Sequence, residues 1–127
     1  MITHRLIGFF LFILYILAVF LFNVLPLGFV EKIQEPLWGE FRLDYLSHAL
    51  IFLPWIFFHL CFPTIKKRRW FVVGLMMALL IEGIQYYLPY RGFNMYDIIF
   101  NVVGLLMGYL LFTGLYFKLQ TYLEGKK

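Results

Sequence analysis

The sequence predicts an all-α integral membrane protein: a four-helix bundle with both termini in the cytoplasm. Three observations predict it. Of the 127 residues, 63% are hydrophobic. Only 14% are charged, where a soluble domain carries about 25%. The apolar residues also gather into four runs, each close to the roughly 20 residues that cross a hydrocarbon core about 30 Å thick. Sixteen Phe and nine Tyr add bulk suited to lipid contact and interfacial belts. There is no low-complexity tract and no internal repeat, so the chain reads as one domain over 1–127.

The first span is expected at about Leu6–Leu25, stopped by Pro26. It exceeds the 7–15 residue core of a secretory signal, and no Ala-x-Ala cleavage pattern follows, so it is expected to be retained as a helix. The second runs about Asp44–Phe62 and stops at Pro63; Pro54 inside it should kink the helix. The third runs about Trp70–Leu88, ahead of Pro89, and the fourth about Met95–Leu115.

Orientation follows from the loops. The short run Lys66-Lys67-Arg68-Arg69 belongs in the cytoplasm by the positive-inside rule. Alternation then places both termini inside with Arg5, Lys118, Lys126 and Lys127, and leaves Lys32, Arg42 and Arg91 outside. The formal charge of +4 is thereby a topology signal rather than a nucleic-acid footprint. Glu31–Asp44 becomes an outer loop or interfacial helix, with Trp38 and Phe41 available to dock it on the membrane surface. The one cysteine, Cys61, excludes an intrachain disulfide and reads as a small buried apolar residue.

A few polar residues fall within the apolar runs, where a charge costs about 2.5–3.5 kcal/mol on insertion scales. His48 lies one turn below the outer start of the second span. Glu82 lies six residues below the outer end of the third, and Asn101 seven residues below the start of the fourth, so all three sit roughly 6–10 Å deep. Asp44 and His48 are i, i+4 and share a face, as do Glu82 and Gln85 at i, i+3. Asn94, Asp97, Asn101, Gly104 and Gly108 form a stripe down the fourth span, with Arg91 in the loop above. One polar pocket opening outward is the simplest arrangement. Gly104-x3-Gly108, and Gly74 with Ala78, suggest close packing between the third and fourth spans.

Asp44-x3-His48, followed by Glu82-x2-Gln85-x5-Arg91-x2-Asn94-x2-Asp97-x3-Asn101-x2-Gly104-x3-Gly108, resembles the bacterial VanZ-like family over most of the chain. Asn94 stands where many members would be expected to carry an acidic residue. The resemblance implies a bacterial plasma-membrane protein of a family named for a protein linked to teicoplanin resistance. Teicoplanin is an acylated antibiotic that binds peptidoglycan precursors outside the membrane.

Each residue has a structural reading beside a chemical one. Asp44 either caps the second helix or orients His48 as an acid–base dyad. Asn94 as N-cap with Asp97 in the first turn explains both without chemistry. Glu82 is either neutral or paired with His48 or Arg91, and serves as an acid or as part of a packing network. Arg91 clamps a phosphate, snorkels, or pairs with Asp97. His48, Glu82 and Asp97 have the donor chemistry for zinc or manganese. No metal-binding motif such as His-Glu-x-x-His accompanies them, so no metal and no cofactor is assigned. His59 reads as an interfacial residue and His4 as solvated. No phosphate-binding glycine loop, serine nucleophile motif or haem pattern is present.

Three functions follow. The first is a binder, in which Arg91, Gln85, Asn94, Asp97 and Asn101 hold a membrane lipid head group or lipid-linked cell-wall precursor, contributing to glycopeptide resistance. The second is an intramembrane hydrolase or transferase with His48 as base, Asp44 as its orienter and Glu82 as acid. The third is a polar network that locks the bundle or a homo-oligomer. Nucleic acid is not expected as a partner.

Overall fold

A computed structural model describes residues 2–26, 32, 34–39 and 41–125. Lys126, Lys127 and parts of the Glu31–Asp44 loop lie outside the described residues. Helix α1 spans Ile2–Val24. A short antiparallel hairpin follows, β1 (Pro36–Trp38) with β2 (Phe41–Arg42). The second span is α2 (Leu43–Phe52), α3 (Trp55–Phe58) and a 3-10 turn at His59–Cys61. Helix α4 spans Lys67–Tyr86 and α5 spans Met95–Glu124. Four of these stretches are long and apolar enough to cross a membrane: Arg5–Val24, Leu43–Cys61, Lys67–Tyr86 and Met95–Glu124.

Proline sets several boundaries. Pro26 and Pro89 lie two and three residues beyond their helices, and Pro63 follows the 3-10 turn. Pro54 has no N–H for the helical ladder, and the second span breaks there into α2 and α3. Helix α4 begins one turn earlier than expected, taking Lys67, Arg68 and Arg69 into its first turn. Helix α5 runs nine residues further than expected, since nothing between Leu115 and Gly125 interrupts it. At 1.5 Å per residue its 30 residues span about 45 Å, longer than the hydrocarbon core.

Within the expected outer loop, Pro36–Trp38 and Phe41–Arg42 form this hairpin, and Glu31, Ile33 and Glu40 lie outside the described residues. Gly39 turns it with φ of +59°, a left-handed conformation cheap only for glycine. Trp38 at its tip is 89% exposed.

The core is built of Val19, Phe52, Trp55, Trp70, Ala78, Ile81 and Leu105. Trp55 and Trp70 stack with centroids 5.0 Å apart. Each indole N–H donates to the other's backbone carbonyl, at 3.0 and 2.9 Å. This exchange satisfies both buried N–H groups. The outer surface stays apolar: Leu6, Phe10, Leu17, Met76, Leu80, Leu110 and Leu111 are all exposed. A soluble monomer rarely exposes so much contiguous apolar surface, whereas a bilayer covers it.

Helix α5 packs most closely on α2. A Cβ on Gly104 would lie 2.1 Å from the Ala49 carbonyl oxygen, and one on Gly108 would lie 2.4 Å from that of Leu53. The Gly104-x3-Gly108 face therefore meets the second span and not the third. Gly74 lies against Leu105 and Trp55, where a Cβ would come within 2.7 and 2.8 Å of their side chains. Gly74 of the third span thus seats the side chains of two neighbours.

Candidate functional site

Seven polar side chains are buried towards one end of the bundle: Asn23, Asp44, His48, Glu82, Gln85, Asp97 and Asn101, each 4% exposed or less. They come from all four spans. Their similar depth was expected from counting residues along three helices, and the structure brings those three sets together.

The N-terminus of α5 forms where Asn94 leaves the helix in an extended conformation and its Oδ1 accepts from the Tyr96 N–H at 3.0 Å. This N-cap satisfies an otherwise orphaned donor. It fixes Asp97 in the first turn and Asn101 one turn below. The Asn94 side chain also donates to the Tyr45 hydroxyl at 3.2 Å, tying α5 to α2.

His48 faces this stripe from α2. Its Nδ1 lies 3.1 Å from Asn101 Oδ1 and its Nε2 lies 3.6 Å from Asp97 Oδ2. With the Asn101 carbonyl as acceptor, Nδ1 carries the proton and the Nε2 lone pair faces Asp97. Asp44 makes no hydrogen bond to His48. Its carboxylate takes both Nε and Nη2 of Arg42, a bidentate pair. Arg42 occupies the N-cap position, and Asp44 lies in the first turn. Asp44 thus neither caps the helix through its side chain nor bonds His48; its partner is a guanidinium.

Glu82 and Gln85 enter from α4. Gln85 Nε2 donates to the Asn23 backbone carbonyl at 2.9 Å and lies 3.2 Å from Asn23 Oδ1, while Asn23 Nδ2 donates to the Val19 carbonyl at 2.8 Å. Gln85 thereby ties α4 to α1. Asp97 Oδ1 and Asn101 Nδ2 have no hydrogen-bond partner among the described residues. The Glu82 oxygens lack a partner of good geometry, and the Asn94 backbone N–H is the donor that bears on them. Glu82 pairs with neither His48 nor Arg91 by hydrogen bond. The charges that bear on it are Asp97, Arg91 and Asp44.

Arg91, in the loop above, donates from Nη2 to the Phe22 carbonyl at 3.0 Å. Burial lowers its pKa, against the raising influence of Asp44, Asp97 and Glu82. It stays charged, as guanidinium does in proteins. A cavity of about 220 Å³ opens beside it, lined by Gln34, Arg42, Gln85, Tyr90, Arg91, Gly92, Phe93, Asn94 and Asp97. His48, Glu82 and Asn101 do not line it. Asp97 is shared between the cavity wall and the His48 contact.

Two contributors escaped the sequence reading. In the sequence Arg42 shows only as an outer-loop charge. Asn23 was absorbed into the first apolar run, although one amide near the end of such a run marks a helix contact. His59, expected at an interface, is buried. Its Nε2 lies 2.6 Å from the Ile65 carbonyl and its Nδ1 lies 2.6 Å from the Tyr116 hydroxyl. The carbonyl can only accept, so His59 Nε2–H donates to it, and Nδ1 shares a hydrogen bond with the Tyr116 hydroxyl. Cys61, expected to be buried, is partly exposed.

Fold and site together define a small protein of four membrane-length helices around a buried polar cluster that meets a cavity at one end. The VanZ/LLP1 family model matches residues 6–117, and the chain belongs to that family. No curated protein and no solved structure matches it.

Proposed function

We propose that this chain is a multi-pass protein of the bacterial plasma membrane whose outward-facing pocket binds the phosphate-bearing head group of a membrane lipid or lipid-linked cell-wall precursor. The observation that carries this reading is Arg91 on the cavity wall, beside the amides of Gln34, Gln85 and Asn94, with Arg42 also lining the cavity while its Nε and Nη2 hold Asp44. Guanidinium groups suit phosphate through parallel N–H donors, and side-chain amides add neutral ones. The volume of about 220 Å³ lies below the roughly 300 Å³ at which pockets for drug-sized ligands begin. It suits a head group whose acyl or prenyl tail stays in lipid. The charge distribution supports the orientation: Lys66, Lys67, Arg68 and Arg69 lie at the far end of α4 from Arg91. In a bacterium exposed to teicoplanin, a protein holding a lipid-linked precursor on this face would reduce access of the antibiotic to its target.

The test is mass spectrometry of lipids that co-purify with wild type and with Arg91→Ala, matched for expression and monodispersity. The reading expects a phospholipid or polyprenyl-phosphate species enriched over bulk membrane in wild type and lost in the variant. A well-folded wild type carrying only the bulk lipid profile would refute it.

A second reading, an intramembrane hydrolase or transferase, is favoured by the Nε2 lone pair of His48 facing Asp97 on the cavity wall. His48 is then the general base. It expects His48→Ala to keep lipid binding and lose turnover.

A further inference from the structure

We infer that Asp44, His48 and Asp97 form a binding site for one divalent transition-metal ion, of the zinc or manganese type. One ligand atom from each, two carboxylate oxygens and one imidazole nitrogen, lies within 4.8 Å of the others, and all three residues are buried. Ligands held about 2.0–2.2 Å from one ion sit roughly 3–4 Å apart around it, so small side-chain rotations close this set on a metal. The distance from His48 Nε2 to Asp97 Oδ2 is informative. At 3.6 Å it exceeds an N–H···O hydrogen bond and falls within the spacing of two ligands on one ion.

The surroundings fit the same reading. A metal-bound imidazole almost always donates its other N–H to an oxygen that fixes the tautomer. Asn101 Oδ1 stands in that place at His48 Nδ1. Arg42 holds Asp44 in the corresponding way, and a carboxylate has lone pairs enough for a guanidinium and a cation together. Asp97 Oδ1 is a buried acceptor without a donor among the described residues. One imidazole with carboxylates suits zinc or manganese, whereas magnesium and calcium prefer an all-oxygen set. Asp97 also lines the cavity, so an ion held here adds its charge to Arg42 and Arg91 facing an anion.

The test uses the untagged full chain in detergent micelles, stripped with chelator and titrated with Zn²⁺ or Mn²⁺ alone. Bound metal is counted by plasma mass spectrometry and affinity measured by competition with a chromophoric chelator. The inference expects about one ion per chain. It expects loss of binding in His48→Gln and Asp97→Asn, an affinity about tenfold to a hundredfold lower in Asn101→Ala, and binding retained or tightened in Arg91→Ala, which removes a neighbouring positive charge. Lipid binding is lost in Arg91→Ala while metal binding persists, so either reading can fail alone. Because a ligand variant can misfold, histidine NMR of the unaltered chain is the second measurement: Zn²⁺ should shift the His48 imidazole and leave His59 in place. Absence of a bound ion in folded wild type, equal binding by His48→Gln, or shifts confined to His4 or His59 would overturn the inference.

Discussion

Replacing Gly104 by alanine places a methyl carbon 2.1 Å from the Ala49 carbonyl oxygen and 2.8 Å from its carbonyl carbon and Cα. All three are backbone atoms, so no side chain can rotate away. Ordinary contact begins near 3.4 Å, and α2 and α5 must therefore separate by more than an ångström. Radial gaps of 0.5–1 Å forfeit about a quarter to a half of a dispersion contact, and this is the most extensive helix interface in the fold. Overpacking of this kind costs about 1–3 kcal/mol, and an immovable backbone neighbour argues for the upper end. The perturbation also reaches the site, because Ala49 adjoins His48 and Asn101 lies one turn before Gly104. Opening this crossing lengthens the 3.1 Å contact between His48 and Asn101. Equilibrium unfolding in mixed micelles measures the effect, with Gly114→Ala as control, since nothing lies within 4 Å of a Cβ there. The expectation is a loss of about 2–3 kcal/mol for Gly104→Ala and no loss for Gly114→Ala, where alanine gains up to about 1 kcal/mol in helix propensity. Equal stability of Gly104→Ala and wild type would refute the packing argument.

Other substitutions separate function from stability. Glu82→Met should leave unfolding free energy unchanged or raise it by about 1–3 kcal/mol, because it removes a buried carboxyl whose oxygens lack a hydrogen-bond partner of good geometry. The same chemical-unfolding assay checks it, and a large loss would mean that Glu82 holds the bundle together. Gln85→Ala should destabilise by about 1–3 kcal/mol, since it leaves the buried Asn23 carbonyl without its donor. Tyr116→Phe should cost about 0.5–1.5 kcal/mol while leaving lipid retention unchanged, because His59 and Tyr116 lie away from the cavity. Arg91→Lys should restore only part of the lipid signal lost in Arg91→Ala, an ammonium being a point charge without the parallel donors of guanidinium.

Much of this was legible in the residues. Four apolar runs punctuated by proline located the spans, because backbone chemistry stops a helix at Pro26, Pro63 and Pro89 regardless of tertiary context. Depth counted from helix ends brought His48, Glu82 and Asn101 to one level, because rise per residue is constant along a helix. The N-cap at Asn94 was readable for the same local reason. What escaped depends on which surfaces meet. A small-xxx-small stripe announces close approach without naming the partner, and the partner of Gly104 and Gly108 is the second span. The bidentate hold of Arg42 on Asp44 requires the hairpin that sets Arg42 at the head of α2. Asn23 gains its role only from Gln85, 62 residues away. His59 is buried because the 3-10 turn after α3 swings it towards Tyr116, and a proline-broken helix does not reveal that rotation in its sequence.

The account rests on a pocket that faces outward and holds a lipid head group. Gly92 lines the cavity and is exposed, and a Cβ there meets nothing within 4 Å, so Gly92→Cys in a Cys61→Ser background reports on it directly. The measurement is the rate of labelling by a membrane-impermeant maleimide in intact cells, with and without Arg91→Ala. The account predicts labelling from outside without permeabilisation, and faster labelling once Arg91→Ala has emptied the pocket of lipid. Labelling only after the membrane is opened, or a rate indifferent to Arg91, would contradict it.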